Sequence, residues 1–209
     1  MFTPRVQAEQ ELQGVRAQYE RTYANRLTGP LDADARAFIE SRDSFYMASV
    51  SETGWPYVQH RGGPVGFLKV TGPEQIGFAD FRGNRQMIST GNVARDGRVS
   101  LILMDYPRRA RLKMLGHMRI QSADAAPDLA ATLAVDGAGR VERLALIDLV
   151  AIDWNCPQFI TPRHTEDEVM ARVAPALARR DAQISALADR LRALGDSSDD
   201  ILTLGSKAT

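Results

Sequence analysis

Basic and amide side chains collect in one glycine-rich stretch, Trp55 to Asn92, which reads WPYVQHRGGPVGFLKVTGPEQIGFADFRGNRQMISTGN. Lys69 ends a short apolar run, Arg61 lies in a Gly-rich turn, and Arg85 follows Gly83-Asn84 at the expected start of a short helix. Backbone amides at a helix start favour a phosphate, and a guanidinium fork beside them adds to that preference. If the strands carrying Lys69 and Phe81 pair as a hairpin, Lys69 and Arg85 meet at one end of a sheet. Taken singly, each cation reads as solvated surface charge. Taken with Gly66, Gly83, Asn84 and Gln86, an anion site becomes as good a reading as surface charge.

Other chemistries lack their residues. The chain has no GxGxxG, no GxxxxGK[ST], no HExxH and no GxSxG, which removes support for a Rossmann site, a Walker A loop, a zincin helix and a nucleophile elbow. His60, His117 and His164 are scattered. The single cysteine, Cys156, precedes Pro157 with no helix start behind it, and reads as packing more readily than as a nucleophile. One cysteine excludes an internal disulfide and the Cys₄ and Cys₂His₂ zinc sites.

The elements that must position the stretch follow from periodicity. Val6, Leu12, Val15 and Tyr19 predict one amphipathic helix over residues 5–23, and Ala35, Phe38 and Ile39 face inward from a second over 32–42. Strands are expected over 45–50, 55–59, 67–70, 76–81, 99–104, 112–121 and 144–152, with short helices over 86–93 and 128–135. The strand over 99–104 is apolar enough to be buried on both faces. So many strands with few helices between them predict an antiparallel barrel, which also removes exposed edges. Thr165-Glu166-Asp167-Glu168 matches a helix capping box. Met170, Val173, Leu177, Arg180, Ile184, Leu187, Leu191 and Leu194 then keep a 3-4 spacing, with Pro175 expected to kink or restart the helix. This seam fits either an amphipathic helix on its own domain or a dimer contact.

Composition bounds the partners. The 209 residues carry 26 basic and 26 acidic side chains, so no global field recruits nucleic acid or anionic membrane. The locally basic run over 107–113 reads as a charged β-turn. No apolar stretch approaches the ~20 residues of a membrane span, and the N-terminus lacks the apolar centre of a signal peptide. A cytoplasmic location is the expectation.

The run GFLKV…FADFRGNRQMISTGN…GRVSLILMD…RLKMLGHMRI resembles the pyridoxamine 5′-phosphate oxidase-like flavoprotein superfamily, directly over residues 32–122 and more weakly to Arg163. The resemblance implies a mainly β fold with flanking helices: a split β-barrel that binds FMN at a homodimer interface. With the helices read from periodicity, the domain organisation is a helical arm over 1–30, the barrel over 31–163, a C-terminal amphipathic helix over 164–195 and a flexible tail over 196–209. Lys69 matches the lysine that closes the second FMN-facing strand. Asn84, Arg85 and Gln86 match the Ser-Arg-Lys triplet that grips the FMN phosphate, with only the arginine retained. Pro64 falls where the oxidases carry a further phosphate arginine, and Arg61 is the expected substitute. Arg111 falls where the family has a glutamine near the flavin ring; an arginine there places positive charge by the N1–O2 edge. Phe67, Leu68, Asp80 and Phe81 are expected to line the site through backbone and ring contacts.

The oxidases end in a Trp- and Arg-containing motif that holds their substrate. This chain has Asp153-Trp154-Asn155-Cys156-Pro157-Gln158 instead, similar to relatives with an NCPQ-type ending. Trp154, Asn155 and Gln158 are expected to reach the flavin held mainly by the partner subunit. The implied function is a flavin-dependent oxidoreductase acting on an unidentified small molecule, with no residue assigned as general acid or base. The alternatives are a non-catalytic flavin-binding or reservoir protein, and a haem- or deazaflavin-binding relative.

Overall fold

The structure is a computed structural model that describes residues 1–23, 29–81, 86–136, 141–154 and 157–195. Of the residues singled out above, Gly83, Asn84, Arg85, Asn155, Cys156 and the 196–209 tail lie outside the described residues. Two units cluster separately, Met1–Pro162 and Arg163–Thr209.

The N-terminal segment forms two helices, α1 (Pro4–Leu12) and α2 (Arg16–Tyr23), rather than the single helix expected. Gly14 lies between them at φ +69°, a left-handed backbone that glycine adopts without a Cβ penalty and that commonly ends a helix. Helix α3 (Ala33–Glu40) is capped by Asp32, whose carboxylate accepts from the Ala35 amide at 2.7 Å. It buries Ala35 and Ile39 completely.

Seven strands build one sheet: β1 (Ser44–Val50), β2 (Pro56–Gly62), β3 (Leu68–Gly72), β4 (Gln75–Phe81), β5 (Arg98–Asp105), β6 (Ala110–Ser122) and β7 (Val141–Trp154). Every pairing is antiparallel, in the order β2-β1-β5-β6-β7-β4-β3. The sheet curls into a split β-barrel. Strand β2 is one edge and β4 lies beside the other, yet Arg61 of β2 reaches Asp80 of β4 at 3.1 Å. Arg61 therefore belongs to a strand, opposite Phe45 of β1, and not to the following turn as its glycine neighbours suggest.

Alternation decides what fills the interior. Phe45 and Met47 of β1, Leu101 and Leu103 of β5, Leu112 and Met114 of β6, and Ile76 and Phe78 of β4 form one core with Phe67 and Leu68. The Phe45 ring stacks on Phe67 at 5.7 Å and meets Phe78 edge-on at 5.5 Å. Strand β5 alternates buried and less buried positions, so it is covered on one face and not on both. Strand β4 is buried on both faces, as β7 is over 144–147. The outer face of β4 meets a second cluster, in which Ala79 and Leu146 pack with Leu133 of α5 (Pro127–Leu133). Helix α4 (Ile88–Arg95) follows β4 and precedes β5.

In the second unit, α6 (Glu166–Ala193) starts at the capping box read from the sequence. Glu168 N donates to Thr165 Oγ1 at 3.2 Å, and Thr165 N to Glu168 Oε2 at 2.9 Å. The helix runs without a break through Pro175, whose ring supplies no N–H to the Ala171 carbonyl.

The long β6–β7 ladder shifts register at Leu115/Gly116. A Cβ on Gly116 would lie 2.6 Å from Ile147 Cγ2 and 2.7 Å from the Asp148 carbonyl oxygen. The backbone oxygen cannot rotate away as a side chain would. Gly116→Ala should therefore cost about 2–3 kcal/mol through overpacking, read as a lowered urea midpoint with an unchanged m-value.

Candidate functional site

Strand alternation sends Tyr57, Gln59 and Arg61 of β2 to one half-buried face, between exposed neighbours. Opposite them stand Asp80 and Phe81 at the end of β4 and Arg143 near the start of β7. Gln86, Met87, Ile88, Ser89 and Thr90, which lead into α4, close the third side. Together they line a cavity of about 270 Å³.

The Asp80 carboxylate is the centre of this wall. One oxygen accepts from Arg61 Nη1 at 3.1 Å; the other accepts from Arg143 Nε at 3.0 Å and Nη2 at 2.8 Å. Asp80 and Arg143 are direct cross-strand partners in the β4–β7 ladder. The Arg61 guanidinium also lies 5.8 Å from the centre of the Phe78 ring, and its Nε is buried with no partner among the described residues. Two guanidiniums against one carboxylate leave one net positive charge on the lining. Glu142, 3.8 Å from Arg143, stands outside it.

Helix α4 adds to that field. Its N-cap position is Met87, at φ +55° and without a capping oxygen, so no N-cap side chain satisfies the first-turn amides. First-turn amides and the positive end of the helix dipole favour an anion there. Ser89, 2% exposed, donates through Oγ to Gln59 Oε1 at 2.7 Å, which ties the helix start to β2. The pocket wall is thus built from side chains already held in place by one another.

Of the residues expected at the site, the structure brings together Arg61, Asp80, Phe81 and Gln86. The other expected residues that the structure describes stand elsewhere. Lys69, expected at the phosphate, donates through Nζ to the carbonyls of Thr132 and Ala134 at 2.7 and 3.1 Å. Its charge meets the negative end of α5, where a cation is stabilised by the last-turn carbonyls. Phe67 and Leu68, expected against a ligand ring, are 2% and 0% exposed within the barrel core. Arg111 lies on β6, opposite Met104, away from the cavity lining, and its Nε is buried without a partner among the described residues. Trp154 meets Phe38 edge-on at 4.8 Å, and Gln158 is exposed.

Arg143, Gln59, Tyr57, Ser89 and Thr90 were not anticipated from the sequence. Gln59 had a usable signal, its two-residue spacing from Arg61. Arg143 had none, because the β4–β7 pairing that sets it against Asp80 joins positions 63 residues apart. Among the described residues, no three His, Cys, Asp or Glu side chains converge on a possible metal position. No helix among them is long and apolar enough to cross a membrane.

Residues 31–145, just over half of the 209, match the family described as pyridoxamine 5′-phosphate oxidase. The chain belongs to this family. The matched span holds every residue that lines the cavity, from Tyr57 to Arg143, and stops before Trp154 and α6. No curated protein matches the chain. Among solved structures, HupZ of Group A Streptococcus is 14% identical with a TM-score of 0.47, covering 64% of this chain and 99% of that one. General Stress Protein 26 of Bacillus anthracis is 11% identical with a TM-score of 0.44, covering 56% and 88%. A protein named F420 reductase is 15% identical with a TM-score of 0.44, covering 59% and 98%. These likenesses are too distant to speak to ligand or reaction.

Removing the shared carboxylate leaves two guanidiniums facing each other in a partly buried site. Asp80→Asn should cost about 2–3 kcal/mol, below the full cost of a deeply buried pair because the group is not sealed from water. Urea denaturation measures this. In Arg143→Met and Arg61→Met backgrounds the same substitution should cost less, and equal costs in all three backgrounds would show the cluster to be uncoupled.

Proposed function

We propose that the cavity holds the phosphate end of FMN, that the flavin lies at a homodimer interface, and that the protein is a flavin-dependent oxidoreductase acting on a small molecule. The observation that carries this reading is the Arg61–Asp80–Arg143 cluster facing the uncapped start of α4, inside the segment that matches the pyridoxamine 5′-phosphate oxidase family. An anion with several acceptor oxygens suits forked guanidiniums, first-turn amides and the Thr90 hydroxyl together. The buried, unpartnered Arg61 Nε is a donor still to be satisfied.

Size supports a shared site. A cavity of about 270 Å³ falls below the ~300–1,000 Å³ of pockets that enclose a drug-sized ligand. One chain therefore suits the phosphate and its neighbourhood, and a second chain would cover the ring. On the resemblance, Asn84 and Arg85 complete the phosphate grip, Arg111 stands near the flavin ring, and Trp154, Asn155 and Gln158 come from the other chain. Lys69 has no part in this version of the site, since its ammonium already serves α5.

FMN, when bound, supplies hydride or electron transfer at its ring. The chain's own residues bind and orient: Arg61 and Arg143 fix the anion, Asp80 holds both guanidiniums in place, and Gln59 positions Ser89. None of them is assigned a proton-transfer role.

The absorption spectrum of the purified protein should show flavin bands, and FMN fluorescence should quench on titration into apo-protein. Arg143→Ala and Arg61→Ala should each weaken FMN binding by about 1.5–3 kcal/mol, the worth of a hydrogen bond to a charged group. Lys69→Ala should leave FMN affinity within twofold while lowering thermal stability. Unchanged affinity in both arginine variants would refute the phosphate assignment. Stopped-flow reduction by NADH or NADPH separates an oxidoreductase from a protein that only holds flavin.

A further inference from the structure

Helix α6 is 28 residues long, about 42 Å at 1.5 Å per residue. Met170, Val173, Leu177, Ile184, Leu187 and Leu194 of its 3-4 seam are between 40% and 82% exposed. A continuous apolar stripe of that length left in water opposes folding, because a helix draws most of its stability from burying such a face. Pro175 lies two residues beyond Val173, on the face opposite the seam, so its missing N–H does not disturb the stripe.

Charge says what fits the stripe. The first turn carries Glu166, Asp167 and Glu168, and the last carries Arg190 and Arg192. The only charged seam position is Arg180, next in sequence to Asp181. A parallel, in-register pair of these helices would set acid against acid, base against base and Arg180 against its own copy. An antiparallel pair centred near position 182 brings each acidic first turn to within about one to two helical turns of the basic last turn of the second copy. It also brings Arg180 within one helical turn of Asp181 of the second copy, and the helix dipoles run head to tail. The flanking positions Ala174 and Ala176 are small and exposed, which lets two axes approach at the short end of the ~8–10 Å range.

We propose that α6 pairs with α6 of a second copy of this chain as an antiparallel two-helix coil, in register 170 against 194 and 177 against 187. The pairing does not depend on flavin and is separable from the flavin-bearing interface.

Disulfide trapping tests it in the full-length chain with Cys156→Ser, which removes the only native thiol. In the antiparallel register, position 177 of one chain faces 187 of the other and lies about 15 Å from its own copy. Under mild oxidation, L177C/L187C should give covalent dimers, and tryptic mapping should join the 177 peptide to the 187 peptide. L177C and L187C alone should stay unlinked. Self-linked single variants would overturn the orientation by showing a parallel pair. An unlinked double variant would overturn the pairing and leave the seam to a different occupant, whether the chain's own barrel or another protein. Circular dichroism of the reduced variants should match the parent. Flavin content should be unaffected, so that a failed flavin site and a failed helix pair give different results.

Discussion

The split barrel is closed at its site end by one carboxylate. Strand β2 ends the sheet on one side, and β4 lies one strand from the end on the other, so no backbone ladder joins them. Asp80 does so with side chains, reaching Arg143 along the β4–β7 register and Arg61 across the split. The geometry works only because all three groups are held from behind. Phe78 lies under the Arg61 guanidinium, the β7 ladder holds Arg143, and α5 seals the other face of β4. A carboxylate between two guanidiniums avoids the cost of an unpaired buried charge, yet the triad still carries one positive charge more than it neutralises. An anion in the cavity would remove that excess. Binding there and closure of the barrel are therefore thermodynamically linked, and a ligand specific for the folded chain would stabilise it by mass action.

Local signals in the sequence were legible, and long-range ones were not. The Thr165–Glu168 capping box and the inward face of α3 are written within a few residues, and both stand in the structure as read. The β1–β2 and β3–β4 hairpins follow from the turns at Gly54 and Gly72-Pro73. What misled was a feature whose meaning depends on a distant partner. Lys69 looks like a strand-end cation free for a ligand, but α5, more than sixty residues later, brings two carbonyls to it. Phe67 and Leu68, expected to line the ligand site, are core residues once Phe45 and Phe78 arrive. Strand β5 is apolar enough for burial on both faces, but it is β4 that α5 covers.

The same reasoning explains why the positive character of the site is invisible in composition. The chain balances 26 basic against 26 acidic residues, and most cations in the fold are spoken for. Arg42 and Arg108 converge on the buried Asp105 at the far end of β5. Lys113 faces Asp153, and Arg98 faces Asp96. The cavity differs because it holds two guanidiniums for one carboxylate and adds a helix start that no side chain caps. A net charge of zero sets no long-range field, so recognition here acts at contact distance, through hydrogen-bond geometry more than through steering.

This division also places specificity. All the lining residues fall between Tyr57 and Arg143, inside the segment that matches the family, whereas Trp154 and the residues after it fall outside. Anion-gripping groups serve any ligand that carries the same phosphate, because guanidiniums, hydroxyls and amides read its oxygens and nothing beyond them. Choice among substrates must come from groups that meet the remainder of the ligand. On the proposed reading those groups lie past the end of the matched segment, where Trp154 packs edge-on against Phe38. An aromatic ring fixed in that way is rigid before anything binds, and the ordering cost of contact is correspondingly small. On the proposed reading, β2, β4, β7 and α4 carry the anion grip, and selection among ligands falls to residues outside the matched segment.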